Sequence, residues 1–150
     1  MVYLATDHAG FELKEKIKEF LIKDGYEVED CGAYQYDKDD DYPDFISKAA
    51  EVISKDPHSK AIILGGSGQG EAMVANKFPN VRAVVFYGNM EMIPLTREHN
   101  DANILSLGAR FLTVDKAIDA VKLWLETPFS NDERHTRRIE KIKKIEENNK

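Results

Sequence analysis

Residues 61–64 read Ala-Ile-Ile-Leu, and four glycines follow them within the six residues 65–70. A short strand without a polar face has to be buried on both sides, as the central strands of parallel sheets are. Glycines placed directly after such a strand allow a tight turn into a helix. This segment therefore predicts the centre of a parallel sheet whose strands alternate with helices.

The remaining chain follows the same alternation of apolar runs and amphipathic segments. Strands are predicted at 2–6, 27–31, 61–64, 81–87 and 103–107, and helices at 11–23, 45–53, 71–76, 90–98, 114–126 and 133–147. The pattern predicts a three-layer α/β/α sandwich with a five-stranded parallel sheet, Rossmann-like in type. No repeat or linker divides the 150 residues, so we expect one domain over 1–150. The spatial order of the fourth and fifth strands stays open.

Composition excludes several classes of function. A net charge of −6 argues against a general nucleic-acid binder. No apolar run approaches the roughly 20 residues that span a bilayer, and the N-terminus lacks the layout of a signal peptide. The single cysteine, Cys31, can form neither an internal disulfide nor a cysteine-rich metal site. We expect a cytoplasmic protein that binds neither nucleic acid nor membrane.

Charge is distributed unevenly along the chain. Residues 131–150 hold seven of the 21 Lys and Arg but only five of the 27 Asp and Glu. Arg134 and Arg138 are four residues apart and share a helix face, beside His135. Two guanidinium groups on one face suit a phosphate, although a solvated charged helix has the same pattern.

Ligands of open parallel sheets bind beyond the carboxyl ends of the strands. The glycine-rich loop 65–70 lies at such an end and, with the start of the next helix, can cradle an anion. It is not a Walker A loop, because Glu71 stands where a lysine is required. It is not a dinucleotide fingerprint either, because it follows the third strand. Glu71 at this position suits a general base, and favourable electrostatics at a helix N-terminus is the simpler alternative.

Two histidine-containing segments are further candidates for proton transfer. Asp7 and His8 follow the first strand, and His99 and Asn100 precede the fifth. Histidine is the side chain most easily poised near neutral pH. The alternatives are an N-cap aspartate at Asp7 and a solvated loop histidine at His99.

Taken together, the motifs resemble those of a known family. They are Asp7–Lys14, Asp41-Tyr42-Pro43-Asp44, Gly65–Glu71 with Ala75-Asn76-Lys77, Arg82-Ala83, Arg97–Asp101, Asn103, Gly108-x-Arg110 and Arg134-His135-x-x-Arg138, in that order. The chain resembles the type B ribose-5-phosphate isomerases of the ribose/galactose isomerase superfamily over about residues 3–145. Each motif is weak alone, and the ordered set is specific.

The resemblance implies a dimer with active sites between subunits, in which the segment 131–150 lies at the interface. Whether dimers pair into tetramers stays open. It also implies aldose–ketose isomerisation of a phosphosugar without a metal or cofactor. In many members a cysteine at the start of the third-strand loop is the base. Here that position is Gly65, and the sequence matches the branch in which a glutamate, here Glu71, takes this role.

The resemblance further implies individual roles around an enediolate mechanism. His99, with Asp7 and His8 as neighbours, assists ring opening, Glu71 transfers the proton between C2 and C1, and Ser67 shuttles a proton between O1 and O2. The backbone of Gly66, Gly68 and Gly70 stabilises the oxyanion. The phosphate ligands are Arg110, Arg134, His135 and Arg138, expected from the partner subunit, with Tyr42 and Asn100 as sugar contacts.

Ribose 5-phosphate and ribulose 5-phosphate, of the pentose phosphate pathway, are the expected pair. Isomerisation of allose 6-phosphate or galactose 6-phosphate is an alternative, as is a sugar-phosphate sensor without catalysis. A response-regulator module shares the size and alternation but would need an aspartate after the third strand, where the chain has glycine.

Overall fold

A parallel sheet forms the middle layer of the computed structural model, which describes residues 1–150. Its strands are β1 (Val2–Thr6), β2 (Val28–Asp30), β3 (Lys60–Gly65), β4 (Ala83–Phe86) and β5 (Ile104–Gly108). The helices are α1 (Phe11–Lys23), α2 (Pro43–Lys55), α3 (Gln69–Ala75), α4 (Met92–Glu98), α5 (Val114–Glu126) and α6 (Glu133–Asn148). Short 3-10 turns follow β1 (His8–Gly10) and β5 (Ala109–Phe111). The predicted α/β class and all eleven elements are confirmed.

The strands are arranged in the order β2-β1-β3-β5-β4, and every neighbouring pair is parallel. β3 is central, as its wholly apolar sequence predicts, and five of its six residues are buried. The edge strands β2 and β4 are shorter than predicted. Each has one neighbour: β2 pairs with β1 over three residues, and β4 pairs with β5 over four.

Alternate side chains of β3 serve two separate cores. Ile62 and Leu64 belong to the core that contains α1 and α5, with the buried Trp124. Ala61 and Ile63 belong to the second core, which contains residues of α2 and α3. The period of two along a strand therefore builds both outer layers from one apolar run.

Helix α6 lies across the edge of the sheet where the strands begin. The Glu146 carboxylate accepts a hydrogen bond from the Asn80 backbone N–H at 3.1 Å, ahead of β4. The cleft of about 290 Å³ between α6 and the sheet is lined by residues that precede β3, β4 and β5. No helix is both long and apolar enough to cross a membrane.

A buried ion pair anchors the long loop after β2. Lys14 of α1 is fully buried, and its Nζ lies 2.7 Å and 2.8 Å from the two carboxylate oxygens of Asp30. The same Nζ donates to the Ala33 carbonyl at 2.6 Å. The beginning of the 31–42 loop is thereby fixed to α1.

We expect Lys14→Met to lower the free energy of unfolding by about 3 kcal/mol, because it leaves a buried carboxylate without its main partner. Urea denaturation followed by Trp124 fluorescence measures this change. The control is Lys23→Met, which removes an exposed ion pair with Glu19 at 3.3 Å and should have little effect. Equal losses in the two variants would contradict the anchoring role of Lys14.

Candidate active site

One cavity lies at the edge of the sheet where the strands end, between the loops that follow β1 and β3. It has a volume of about 410 Å³ and is lined by Asp7, His8, Ala9, Tyr42, Gly66, Ser67, Gly70, Glu71 and Arg110. The chain continues to opposite faces of the sheet after these two strands, which is where open α/β sheets bind ligands. A larger depression of about 840 Å³ runs along the exposed face of α1 and contains none of the predicted site residues.

The Glu71 carboxylate lies in the space that a side chain at position 65 would fill. A Cβ built on Gly65 would overlap both carboxylate oxygens. Helix side chains lean toward the helix N-terminus, so a glutamate in the first turn of α3 reaches back over the end of β3. Glu71 itself is only 4% exposed. Gly65 is therefore the residue that permits a buried carboxylate here.

A second glycine shapes the turn that leads into α3. Gly68 has φ +78°, a conformation that side-chain-bearing residues rarely adopt. Its carbonyl accepts a hydrogen bond from the buried Ser106 hydroxyl at 2.7 Å, which ties the loop to β5. The loop thus presents its backbone to the cavity in a fixed shape.

Burial raises the pKa of Glu71 above its ordinary value. The neighbouring charge of Asp7 raises this pKa further, while backbone N–H groups of Glu71 and Gly68 act in the opposite direction. A carboxylate whose pKa is displaced toward neutrality is suited to accept and return a proton.

Asp7 and His8 are held by local hydrogen bonds. Asp7 caps the 3-10 turn by accepting the Ala9 N–H at 2.9 Å, as the N-cap alternative predicts. His8 Nδ1 lies 2.7 Å from Asp40 Oδ1, and this bond chiefly raises the pKa of His8. Asp7, His8 and Asp40 offer three ligand atoms within 4.8 Å of one another. The His8–Asp40 hydrogen bond would have to break before a cation could bind them.

Arg110, Ser67 and Tyr42 complete the lining of the cavity. A Cβ on Gly66 would be 3.0 Å from Arg110 Nη1, so the guanidinium lies against the glycine loop. Ser67 Oγ accepts the Gln69 N–H at 3.3 Å. The Tyr42 hydroxyl lies against Gly70.

The other predicted residues lie at the opposite edge of the sheet. The rings of His99 and His135 stack with centroids 4.3 Å apart. Arg134, Arg138 and Asn100 are exposed near them. His99 precedes β5 and Arg110 follows it, and a five-residue strand separates them by about 16 Å.

The expected neighbourhood of His99 with Asp7 and His8 therefore does not exist within one chain. Arg110 is likewise separated from Arg134, His135 and Arg138 within one chain, and the resemblance implies that the partner subunit contributes to the phosphate site. The reason is the direction of β5, together with the position of α6 across the beginning of the sheet.

His135 has only 5% of its surface exposed, and its Nδ1 lies 3.1 Å from Ser130 Oγ. Burial lowers its pKa, and the neighbouring charges of His99 and Arg134 lower it further. A lowered pKa reduces the fraction of His135 that carries a positive charge near neutral pH.

Cys31 lies outside the cavity, in the core beneath α2. Burial raises the pKa of its thiol to about 11, so the thiolate is scarce at neutral pH. It lacks the electropositive, exposed surroundings of a nucleophilic cysteine.

Several residues of the family-like motifs hold loops together. Arg97 Nη1 donates to Asp101 Oδ1 at 2.8 Å and to the Ala102 carbonyl at 2.7 Å. The Asn103 side chain accepts the Arg82 N–H at 2.8 Å and donates to the Asn80 carbonyl at 2.9 Å. These contacts fix the loops before β4 and β5, including the segment that carries His99.

Asp40 is a site residue that the sequence does not single out. It belongs to an acidic run that also contains Asp37, Asp39 and Asp41, so its residue type does not distinguish it. Its N–H donates to the Asp37 carbonyl in a turn, and its carboxylate contacts His8. No pattern in the sequence carries that information.

A buried carboxylate of raised pKa beside a glycine loop, Arg110 and His8 is suited to acid–base chemistry on a small anion. Residues 2–142 match the family described as Ribose/Galactose Isomerase, and the chain belongs to this family.

The chain is similar to ribose-5-phosphate isomerase B of Mycobacterium tuberculosis, with 46% identity over 97% of this chain and 89% of the relative. It is 36% identical to ribose-5-phosphate isomerase B of Escherichia coli, over 97% of this chain and 96% of the relative. The crystal structure of ribose-5-phosphate isomerase B from Mycoplasma genitalium with bound ribulose 5-phosphate superposes with a TM-score of 0.94. The two sequences are 36% identical, and the match covers 97% of this chain and 95% of that one. The Clostridium thermocellum enzyme gives 0.93, at 42% identity over 99% of both chains.

We expect Glu71→Gln to increase the free energy of unfolding at pH 7. The folded-state pKa of Glu71 is raised, so the neutral form favours folding, and this contribution is lost as the pH rises through that pKa. The free energy of unfolding of the variant should equal that of the parent below the ordinary carboxyl pKa of about 4. At higher pH it should exceed that of the parent by an increasing amount, up to the folded-state pKa of Glu71. Parallel urea titrations from pH 4 to 8 measure the difference. A variant less stable than the parent at pH 7 would contradict a buried Glu71 carboxylate of raised pKa.

Proposed function

We propose that this protein interconverts ribose 5-phosphate and ribulose 5-phosphate, a step of the pentose phosphate pathway. The observation that supports this most directly is Glu71, a buried carboxylate of raised pKa in a cavity lined by a glycine loop. The names of its relatives, and the ribulose 5-phosphate bound in the Mycoplasma genitalium structure, identify the sugar. We also expect the reaction to take place in the cytoplasm, where this pathway operates.

Isomerisation requires one group that carries a proton between two adjacent carbons. In our proposal Glu71 removes the proton from C2 of the open aldose and returns it to C1 of the enediolate. The backbone N–H groups of the Gly66–Gly70 loop stabilise the oxyanion, and Ser67 moves the proton between O1 and O2. Asp7 and Tyr42 bind hydroxyl groups of the sugar.

We further propose that each site is completed by a second copy of the chain. The edge of the sheet opposite the Glu71 cavity carries four exposed or half-exposed side chains: His99, Asn100, Arg134 and Arg138. Helix α6 also exposes Ile142 and Ile145, at 52% and 63%, and apolar side chains on a charged helix are typical of a subunit interface. In a dimer, His99 would assist ring opening and the two arginines would bind the phosphate beside the partner's Arg110.

We expect Glu71→Gln to lower kcat by about 10³-fold, because the amide cannot accept the proton from carbon. The measurement is the conversion of ribose 5-phosphate, followed through the absorbance of the ketose. Cys31→Ser is the control, and its kcat should be unchanged because the thiol lies outside the cavity. Near-normal turnover by the Gln variant, or loss of activity in the Ser variant, would refute Glu71 as the base. Allose and galactose 6-phosphates in the same assay establish sugar preference.

Complementation between two inactive variants tests the shared site. We expect Glu71→Gln and His99→Asn to be nearly inactive when each is purified alone. Co-expressed in equal amounts, they should recover up to about a quarter of the parent activity, since half of the dimers are mixed and each mixed dimer has one intact site. Absence of recovery in verified mixed dimers would show that each site is built from one chain.

A further inference from the structure

Asp40 makes two hydrogen bonds to His8, although half of its buried carboxylate has no partner. Asp40 Oδ1 accepts the His8 backbone N–H at 3.0 Å and lies 2.7 Å from Nδ1 of the same residue. The Asp40 side chain is only 8% exposed. Its second oxygen, Oδ2, is buried and has no hydrogen-bond partner. Burying a carboxylate in this way is costly unless it meets a compensating charge.

His8 can provide that compensating charge. With Asp40 bonded to both the backbone and Nδ1, the ring is fixed in one orientation, with Nδ1 as the donor. Its other nitrogen, Nε2, makes no bond within the protein and belongs to a side chain that lines the Glu71 cavity. The rings of His8 and Tyr36 are nearly perpendicular, at 89°, with centroids 6.3 Å apart.

Charges of both signs surround His8. Asp40 and Asp7 raise the pKa of His8, and burial and the nearby Arg110 lower it, with a net increase. Asp7 Oδ2 lies 4.0 Å from His8 Nδ1, and Arg110 and Glu71 line the same cavity. The cationic side chains of Arg110 and a protonated His8 suit the dianionic phosphate of a phosphosugar, and the carboxylates suit its hydroxyl groups.

We propose that Asp40 is a positioning residue that holds His8 with Nε2–H directed into the cavity, as a cationic donor to the substrate phosphate beside Arg110. The proposal rests on the proposed function for the identity of the substrate. Asp40 acts through His8 and does not contact the sugar. The loop after β2, which Lys14 fixes to α1, thus contributes to substrate binding from 32 residues along the chain.

The test compares Asp40→Asn with Asp39→Asn. Asp39 is an exposed neighbour whose backbone N–H donates to the Asp37 carboxylate and whose side chain makes no hydrogen bond. Asparagine at position 40 can still accept both hydrogen bonds from His8 but lacks the negative charge. We expect KM for ribose 5-phosphate to rise about tenfold with kcat within threefold of the parent, because one charge-assisted bond is weakened. The Asp39 variant should leave both parameters unchanged.

The pH dependence provides a readout that a merely structural role would not change. The pKa of His8 should fall in Asp40→Asn, so KM should begin to rise at a lower pH than in the parent. In a His8→Ala background, Asp40→Asn should have no further effect on KM. A change in kcat and KM that persists without His8 would overturn the proposal.

Two measurements need no turnover and separate this proposal from the proposed function. NMR titration should show a lower His8 pKa in Asp40→Asn, and inorganic phosphate should bind the variant more weakly than the parent. If both hold and no phosphosugar is converted, the proposed function fails while the role of Asp40 stands. If the His8 pKa and phosphate binding are unchanged, the role of Asp40 is refuted, whatever the activity.

Discussion

The common direction of the five strands determines what each chain can assemble by itself. Every strand ends at the same edge, so the segments after β1, β3 and β5 meet there around Glu71. Every segment that precedes a strand, with α6 across it, lies at the other edge. No adjustment of side chains moves His99 from one edge to the other. The division of the predicted site into two halves is therefore a property of the sheet topology.

Within the cavity, function and stability are in opposition. Glu71 is ionised at a cost because it is buried near Asp7. Asp40 is buried as well, and one of its oxygens has no partner. The surrounding structure tolerates these groups because apolar cores lie on both faces of β3 and Lys14 fixes the beginning of the loop that carries Asp40. Buried ionisable groups that do not stabilise the fold are typical of sites that transfer protons.

The sequence predicts the layers well and the site only in part. Hydrophobic period determines β3 and the amphipathic helices, so the class, the central strand and most helix ends follow from local pattern. The order of β4 and β5 depends on which neighbour each strand pairs with, which no local pattern encodes. Likewise the inward turn of Asp40 depends on one loop conformation, and its neighbours in the acidic run give no contrast. The separation of His99 from Glu71 was accessible in principle, because a residue before a strand and one after it lie at opposite ends.

The overlap between a side chain at position 65 and the Glu71 carboxylate also constrains how such a site can change over generations. In the family pattern the base is either a cysteine at this strand end or a glutamate from the helix. A side chain at position 65 and the Glu71 carboxylate in its present position would occupy the same space, so one of them has to move if both are present. The carboxylate is the far end of a flexible side chain and can move, but it then leaves the position that it occupies at the end of β3. A chain that gains a cysteine at position 65 therefore displaces its glutamate, and Gly65 keeps the present position of the carboxylate open.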